Sequence, residues 1–250
     1  MVNLSVNINK IALIRNARGG DRPSVLHFAE LALTAGAAGI TVHPRPDQRH
    51  ITAADAIELG AHLSNKHQEF NIEGNPFEGD MGTFPGFMTL VKQIRPDQCT
   101  LVPDAVDQKT SDHGWDFDRD GDRLKPIINE LQSLGIRVSV FVDPVEDALN
   151  GAKACGVDCI EFYTESYAIA HANGQGSESF QIYADLAEKA NQMGLIINAG
   201  HDLNLDNLPL FATLPHLKEV SIGQALVTDA LEIGFELTVK AYLNCLRKQS

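Results

Sequence analysis

Short β-rich runs alternate with helical stripes along the whole chain. The runs Leu4–Ile8, Gly39–His43, Phe70–Glu73, Thr100–Val102, Arg137–Val142, Cys159–Tyr163, Leu195–Ala199 and Val220–Ile222 are apolar and β-branched, and read as eight strands. Between them, apolar positions recur three or four residues apart. Val25, Phe28, Ala29 and Ala32 share one helical face, closed by Gly36. Ile182, Leu186, Ala190 and Met193 form another, ended by Gly194. Val227, Leu231, Phe235, Val239, Tyr242 and Leu246 predict one long closing helix. Eight strand–helix alternations imply an α/β chain with a parallel sheet. The economical closure is a (β/α)8 TIM barrel, with an open doubly wound sheet as the alternative. No linker, repeat or low-complexity stretch interrupts residues 1–250, so the chain reads as a single barrel domain.

The bulk numbers narrow the partners. At 250 residues and 44% hydrophobic, the chain can bury one large core. A formal net charge of -13 argues against a nucleic-acid surface, while leaving room for a local cationic site. Cys99, Cys155, Cys159 and Cys245 show no CxxC pair or ligand spacing and read as reduced thiols. There is no apolar run near 18 residues and no signal-peptide layout, so no membrane association and a cytoplasmic location are expected.

One stretch concentrates the chemistry. Gly39–His43 reads as a buried strand that stops at Pro44 and Pro46, which have no amide hydrogen for a sheet. Arg45, Arg49 and His50 follow, and then Thr52-Ala-Ala-Asp55, a capping box that starts a helix. Polar residues recur after the other strands: Asn7, Asn9 and Lys10, with Arg15 and Arg18 beyond; Glu73; Asp104; Asp143; Thr164 and Glu165; Asn198 to His201; Ser221 to Gln224. In a barrel these positions converge on one mouth. Glu73 and Glu161 lie in apolar strands, where desolvation and neighbouring charge could set unlike proton affinities; a core ion pair is the competing reading. His43 and His201 are candidate proton carriers. Arg18, Arg45 and His50 are candidates to hold phosphate or carboxylate. Gly200-His-Asp and Gly223-Gln-Ala are each expected to follow a strand and open a helix, presenting backbone N–H groups to an anion.

Asn75–Gly86, Asp104–Gly121 and His171–Gly176 are the least regular stretches and are candidate active-site loops. Asp104–Gly121, which carries Thr110, is the expected lid. Asp116-Phe-Asp-Arg-Asp-Gly-Asp122 imitates half a calcium loop, but Ile127 stands where the bidentate glutamate belongs, so an acidic helix start is expected instead. No nucleotide-binding glycine motif is present, and the histidines lack the spacing of a helical metal motif, which leaves metal a minor option.

The segments Val6-Asn-Ile-Asn-Lys-Ile-Ala12, Arg15-Asn-Ala-Arg-Gly19, Gly39-Ile-Thr-Val-His-Pro-Arg45, Arg49-His-Ile-Thr52 and Asn198-Ala-Gly-His201 resemble the pyridoxine 5′-phosphate synthase family, and the likeness runs from about Leu4 to the closing helix. The resemblance implies a (β/α)8 barrel with extra helices, assembled as a homo-octamer and using no cofactor. It implies condensation of 1-deoxy-D-xylulose 5-phosphate with 3-amino-2-oxopropyl phosphate to pyridoxine 5′-phosphate, phosphate and water. By position, His43 and Glu73 match the family's general bases, His201 its general acid, and Glu161 the carboxylate that stabilises the transition state. Arg45, His50 and Thr110 match contacts to the deoxyxylulose phosphate. Asn7, Arg18 and Gly223 match contacts to the amino ketone phosphate.

Departures accompany the likeness. Asn9-Lys10 stands where many members carry Asp-His, at a contact to the deoxyxylulose phosphate. Asp202 replaces a glycine, and Gln224 a histidine, beside the second phosphate. Lys10 is expected to bind a substrate oxygen or phosphate as a cation without forming an imine. The competing functions are another barrel enzyme acting on sugar phosphates and a non-catalytic phosphate-metabolite binder.

Overall fold

The computed structural model describes residues 1–64, 66–106 and 108–247. The barrel strands are β1 (Asn3–Asn7), β2 (Gly39–Val42), β3 (Glu69–Gly74), β6 (Gln98–Leu101), β7 (Arg137–Val142), β8 (Cys159–Tyr163), β9 (Ile196–Gly200) and β10 (Leu217–Ile222); β4 (Asp80–Met81) and β5 (Phe84–Pro85) form a small antiparallel hairpin. All eight barrel pairings are parallel, and β1 closes the barrel by pairing with both β2 and β10. The helices are α1 (Asn9–Asn16), α2 (Val25–Ala35), α3 (Ala53–Leu63), α4 (Phe87–Ile94), α5 (Phe117–Ser133), α6 (Glu146–Cys155), α7 (Glu165–Ala172), α8 (Gly176–Gln192), α9 (Leu208–Phe211), α10 (Gln224–Ile233) and α11 (Phe235–Leu246). Against one helix per strand, α1, α7 and α10 are extra.

Alternation along the strands decides which side chains meet the helices. In β7, Val138, Val140 and Val142 join the main apolar cluster with the helices, while Ser139 and Phe141 lie on the other face. In β1, Leu4 and Val6 face outward, and Ser5 reaches across the interior to Thr41, with 2.7 Å between hydroxyl oxygens. Thr100 donates to Asn71 at 3.2 Å, and Asn198 to Gln98 at 3.3 Å. The core therefore lies between sheet and helices, and the barrel axis is lined with hydrogen-bonded polar side chains.

The expected end of α2 at Gly36, the capping box at Thr52 and the helix start at Asp116 hold. Ser24 caps α2, Gly36 ends it in a left-handed conformation, and Thr52 with Asp55 forms the reciprocal capping box at α3. Asp116 caps α5 by accepting from the Arg119 N–H, so the calcium-like stretch is a helix start. No described residues form a cluster of histidine, cysteine and carboxylate groups suited to a metal ion. The four cysteines are free. Among the described residues, no helix is long and apolar enough to cross a membrane.

Other expectations are corrected. The long closing helix is two, α10 and α11, broken at Gly234, whose φ of 84° is left-handed. Leu231, expected on its buried stripe, is 77% exposed, and Ile182 is 54% exposed because α8 buries Tyr183, Leu186, Ala187 and Ala190 instead. The irregular stretch after β6 ends at Asp116, where α5 begins. Gly200-His-Asp does not open a helix, because Leu203 to Asn207 separate it from α9, which spans only four residues. Of Gly200 and Gly223, the latter alone stands directly before a helix of useful length.

Candidate active site

The carboxyl ends of the strands surround a cavity of about 460 Å³. His43, Glu73, Glu161 and His201 all line it, although they come from four different strand ends spread along the chain. Asn7, Asn9, Lys10, Arg45, His50, Thr110, Asp202, Gly223 and Gln224 line it too. Arg18 does not; it is exposed just beyond α1. Arg15 is also diverted, its fork bonded to both Asp55 oxygens at 2.5 and 2.8 Å, where it braces the α3 cap. No residue of His171–Gly176 lines the cavity, because that turn comes after α7.

The acid–base groups sit in unlike surroundings. His43 follows β2 directly; its backbone N–H donates to Asn9 Oδ1 at 2.9 Å, and its buried Nε2 has no hydrogen-bond partner. Burial holds its imidazolium form far below the ordinary histidine range, with the charges of Arg45, His50 and Arg49 adding to the effect. At neutral pH this ring is uncharged and can accept a proton. Glu73 on β3 is half-buried with its carboxyl at the cavity wall, and Asn7 Nδ2 donates to its Oε2 at 3.3 Å. Burial raises its proton affinity well above the carboxylate range, helped by the charges of Glu161 and Asp104 and opposed by Arg45. Glu161 on β8 is pushed to about 7 by burial, with His201 pulling the other way. Two desolvated carboxyls on one cavity disfavour simultaneous ionisation.

His201 is fixed by the corner it occupies. Thr164 Oγ1 donates to the carbonyls of Gly200 and His201, and Leu203 N–H donates back to His201 O at 2.6 Å. Its Nε2 lies 2.8 Å from Thr110 Oγ1, and its Nδ1 lies 2.8 Å from Asp202 Oδ2. The rings of Tyr163 and Phe141 pack on it edge-on, with centroids 5.4 and 6.5 Å away. Gly200 must lack a side chain, since a Cβ there would stand 2.4 Å from Glu161 Oε1 and 2.9 Å from the Ser221 carbonyl oxygen.

Two parts of the rim suit anions. Near β2, Arg45 forms a buried ion pair with Asp104, and its Nη1 donates to the Gln108 carbonyl at 3.1 Å. His50 accepts the Ile51 N–H on Nδ1 at 2.9 Å, so its neutral ring carries the proton on Nε2 as a donor. Burial, with Arg45 and Lys10 nearby, lowers this imidazole to about 3, keeping it neutral. Across the mouth, α10 starts at Gln224 with no side-chain cap, leaving first-turn N–H groups free. Gly223 lets that helix start approach β1, because a Cβ would meet Asn7 Cβ at 3.0 Å and Asn7 O at 3.1 Å.

Phe141 and Thr100 line the cavity without having been expected to. Both lie within strands, and only the alternation of inward positions could have signalled them. Arg49 anchors the loop after β6 by donating to the carbonyls of Val106 and Gln108 at 2.8 and 3.0 Å.

Residues 4–248 match the family model described as pyridoxal phosphate biosynthesis protein PdxJ. The chain is 51% identical to a pyridoxine 5′-phosphate synthase of Xanthomonas oryzae pv. oryzae, over 98% of this chain and 97% of that protein. It is 50% identical to one of Christiangramia forsetii, over 99% of this chain and all of that protein. Among solved structures, thiamine phosphate pyrophosphorylase from Pyrococcus furiosus superposes with a TM-score of 0.62 at 10% identity, covering 99% of this chain and 96% of the other. Phosphoribosylanthranilate isomerase from Thermotoga maritima gives 0.57 at 12%, covering 99% of each chain. At such identities those two similarities speak for the barrel alone. The family match across the chain and the half-identical relatives lead to one conclusion: this chain belongs to the PdxJ family of pyridoxal phosphate biosynthesis proteins.

Proposed function

We propose that the chain is a pyridoxine 5′-phosphate synthase, condensing 1-deoxy-D-xylulose 5-phosphate with 3-amino-2-oxopropyl phosphate to pyridoxine 5′-phosphate, phosphate and water. The observation that carries this reading is the meeting of four acid–base groups and two anion-suited rims in one 460 Å³ cavity. Two phosphorylated substrates need two anion sites, and closing an aromatic ring needs repeated proton transfer.

The cavity supports a division of labour. Arg45, the Nε2–H of neutral His50, Thr110 and the ammonium of Lys10 hold the deoxyxylulose phosphate, and Asn9 orients this rim through the His43 backbone. The N–H groups at Gly223 and Gln224, with Asn7, hold the amino ketone phosphate. Arg18, exposed outside the cavity, takes part only if the first crossover moves. His43, uncharged and unpartnered at Nε2, takes protons from substrate carbon or nitrogen. Glu73 starts protonated, gives that proton up, and then serves as a base. Glu161 stabilises cationic character in the transition state once ionised. His201 delivers a proton to a departing hydroxyl.

The loop after β6 brings Thr110 to the mouth and is the proposed lid. The exposed Leu231 and Leu237 of α10 and α11 offer apolar surface for a homo-octamer, and a cytoplasmic setting suits a biosynthetic enzyme. Incubating the protein with both substrates and recording product by chromatography and mass tests the activity. Absence of pyridoxine 5′-phosphate, with the substrates intact, rejects it. Light scattering tests the octamer.

A further inference from the structure

The geometry points to Asp202 as the positioning residue of His201: its carboxylate holds the imidazole Nδ1–H and so turns Nε2 toward Thr110 and the cavity. This rests on the proposed synthase reaction and assigns to that residue a role distinct from contact with phosphate.

Three observations carry it. The Asp202 carboxylate lies 2.8 Å from His201 Nδ1, and Thr110 Oγ1 lies 2.8 Å from Nε2 on the opposite side of the ring. A carboxylate can only accept, so Nδ1 carries a hydrogen in the neutral ring, and Nε2 is then the nitrogen that gains and loses the working proton. The backbone is shaped for this contact. His201 and Asp202 have φ of 74° and 49°, both left-handed, and the Leu203 N–H closes a tight turn on His201 O at 2.6 Å. That turn folds the Asp202 side chain back onto the ring preceding it. It is pinned on one side by Thr164, and on the other by Asn207 Nδ2 donating to Asp202 O at 3.0 Å. Finally, the carboxylate is engaged. Its hydrogen bond to His201 lowers its own proton affinity below the ordinary aspartate range, against the opposing effect of burial. A carboxylate committed to an imidazole repels a nearby phosphate less than a free one does, which reconciles an acidic residue with an anion site.

The test compares wild type, D202G and D202N in the condensation assay, varying each substrate in turn. Glycine and asparagine both adopt left-handed backbone readily, so neither variant strains the turn. The expected result for D202G is a fall in kcat of roughly 10- to 100-fold, with both KM values within about twofold of wild type. D202N keeps an acceptor for Nδ1–H but loses the charge, and is expected to fall between the two. If D202G instead keeps its kcat while its KM for the amino ketone phosphate drops several-fold, Asp202 acts on the phosphate and the positioning role is overturned. An active wild type beside an equally active D202G overturns this role alone. A wild type that makes no product removes the proposed reaction and this role with it.

Discussion

Replacing Glu161 with glutamine should make the protein more stable and less active, and the two effects have one cause. Glu161 is 4% exposed, and burial raises its carboxyl from 4.5 to about 7. The folded state therefore holds a proton that the unfolded chain releases near 4.5. Stability from this group is complete below that pH and is lost as pH rises toward 7. At roughly 1.4 kcal/mol per pH unit the loss reaches about 3 kcal/mol by pH 8, and stays below about 1 kcal/mol at pH 5. Glutamine keeps the shape and cannot ionise. For a domain of this size the difference is a rise in Tm of roughly 6–12 °C at pH 8 and little change at pH 5. Calorimetry at both pH values reads it. In the condensation assay the same variant should lose about 100- to 1,000-fold in kcat, the usual cost of removing one preorganised electrostatic contact. A third readout follows from the neighbour. The charge of Glu161 helps hold the proton on Glu73, which starts the proposed reaction protonated, so E161Q should shift the descending limb of the kcat profile to lower pH. An E161Q protein that melts several degrees below wild type at pH 8 would refute the reasoning. It would mean that pairing of the carboxylate with His201 outweighs the cost of burying its charge.

Other perturbations separate chemistry from architecture. Glu73→Gln retains an acceptor for Asn7 Nδ2 and should lower kcat by about 100- to 10,000-fold with the circular dichroism unchanged; a near-normal rate removes Glu73 from the acid–base set. Gly200→Ala drives a methyl group to 2.4 Å from Glu161 Oε1, and should cost about 1–3 kcal/mol by denaturant titration as well as activity. Glu219→Gln acts at the other end of the barrel, where burial, aided by Glu69 and opposed by Arg137, raises the carboxyl to about 9. Wild-type stability should decline through this group from about pH 4.5 to 9. The variant should remove that decline at unchanged kcat, and melts across this range decide it.

The strands were legible because their outward faces bear the apolar load. Val138, Val140 and Val142 stand at every second position, and the limits of β7 and β8 follow from sequence to the residue. What periodicity could not separate was the second face. Ser5, Thr41, Asn71 and Thr100 look like dilution of an apolar run, yet they are a hydrogen-bonded layer along the axis. The closing helix was read as one because Val227, Leu231 and Phe235 keep helical spacing straight across Gly234. Arg15 and Arg18 were read as site cations because sequence gives proximity to a strand end but not direction. Helix α1 carries both away, and Asp55 captures the first.

The polar axis bears on why the site can hold two raised carboxyls at all. Many barrels fill their interior with branched apolar side chains. Here the inward-facing neighbours of Glu73 and Glu161 are Thr100, Asn71 and Asn198, neutral groups that accept and donate but carry no charge. Register sets Glu73 beside Thr100 and Glu161 beside Asn198 on neighbouring strands. A cation at that level would have ionised both carboxyls and left them poor proton donors. The buried guanidinium whose charge acts on Glu73 is that of Arg45, and Asp104 occupies it. In the proposed reaction a substrate phosphate on Arg45 would compete with Asp104 for the same fork, and the charges of both Arg45 and Asp104 act on Glu73. Binding at that proposed anion site would thereby be coupled to the proton on Glu73, the carboxyl assigned to proton transfer in the proposed reaction.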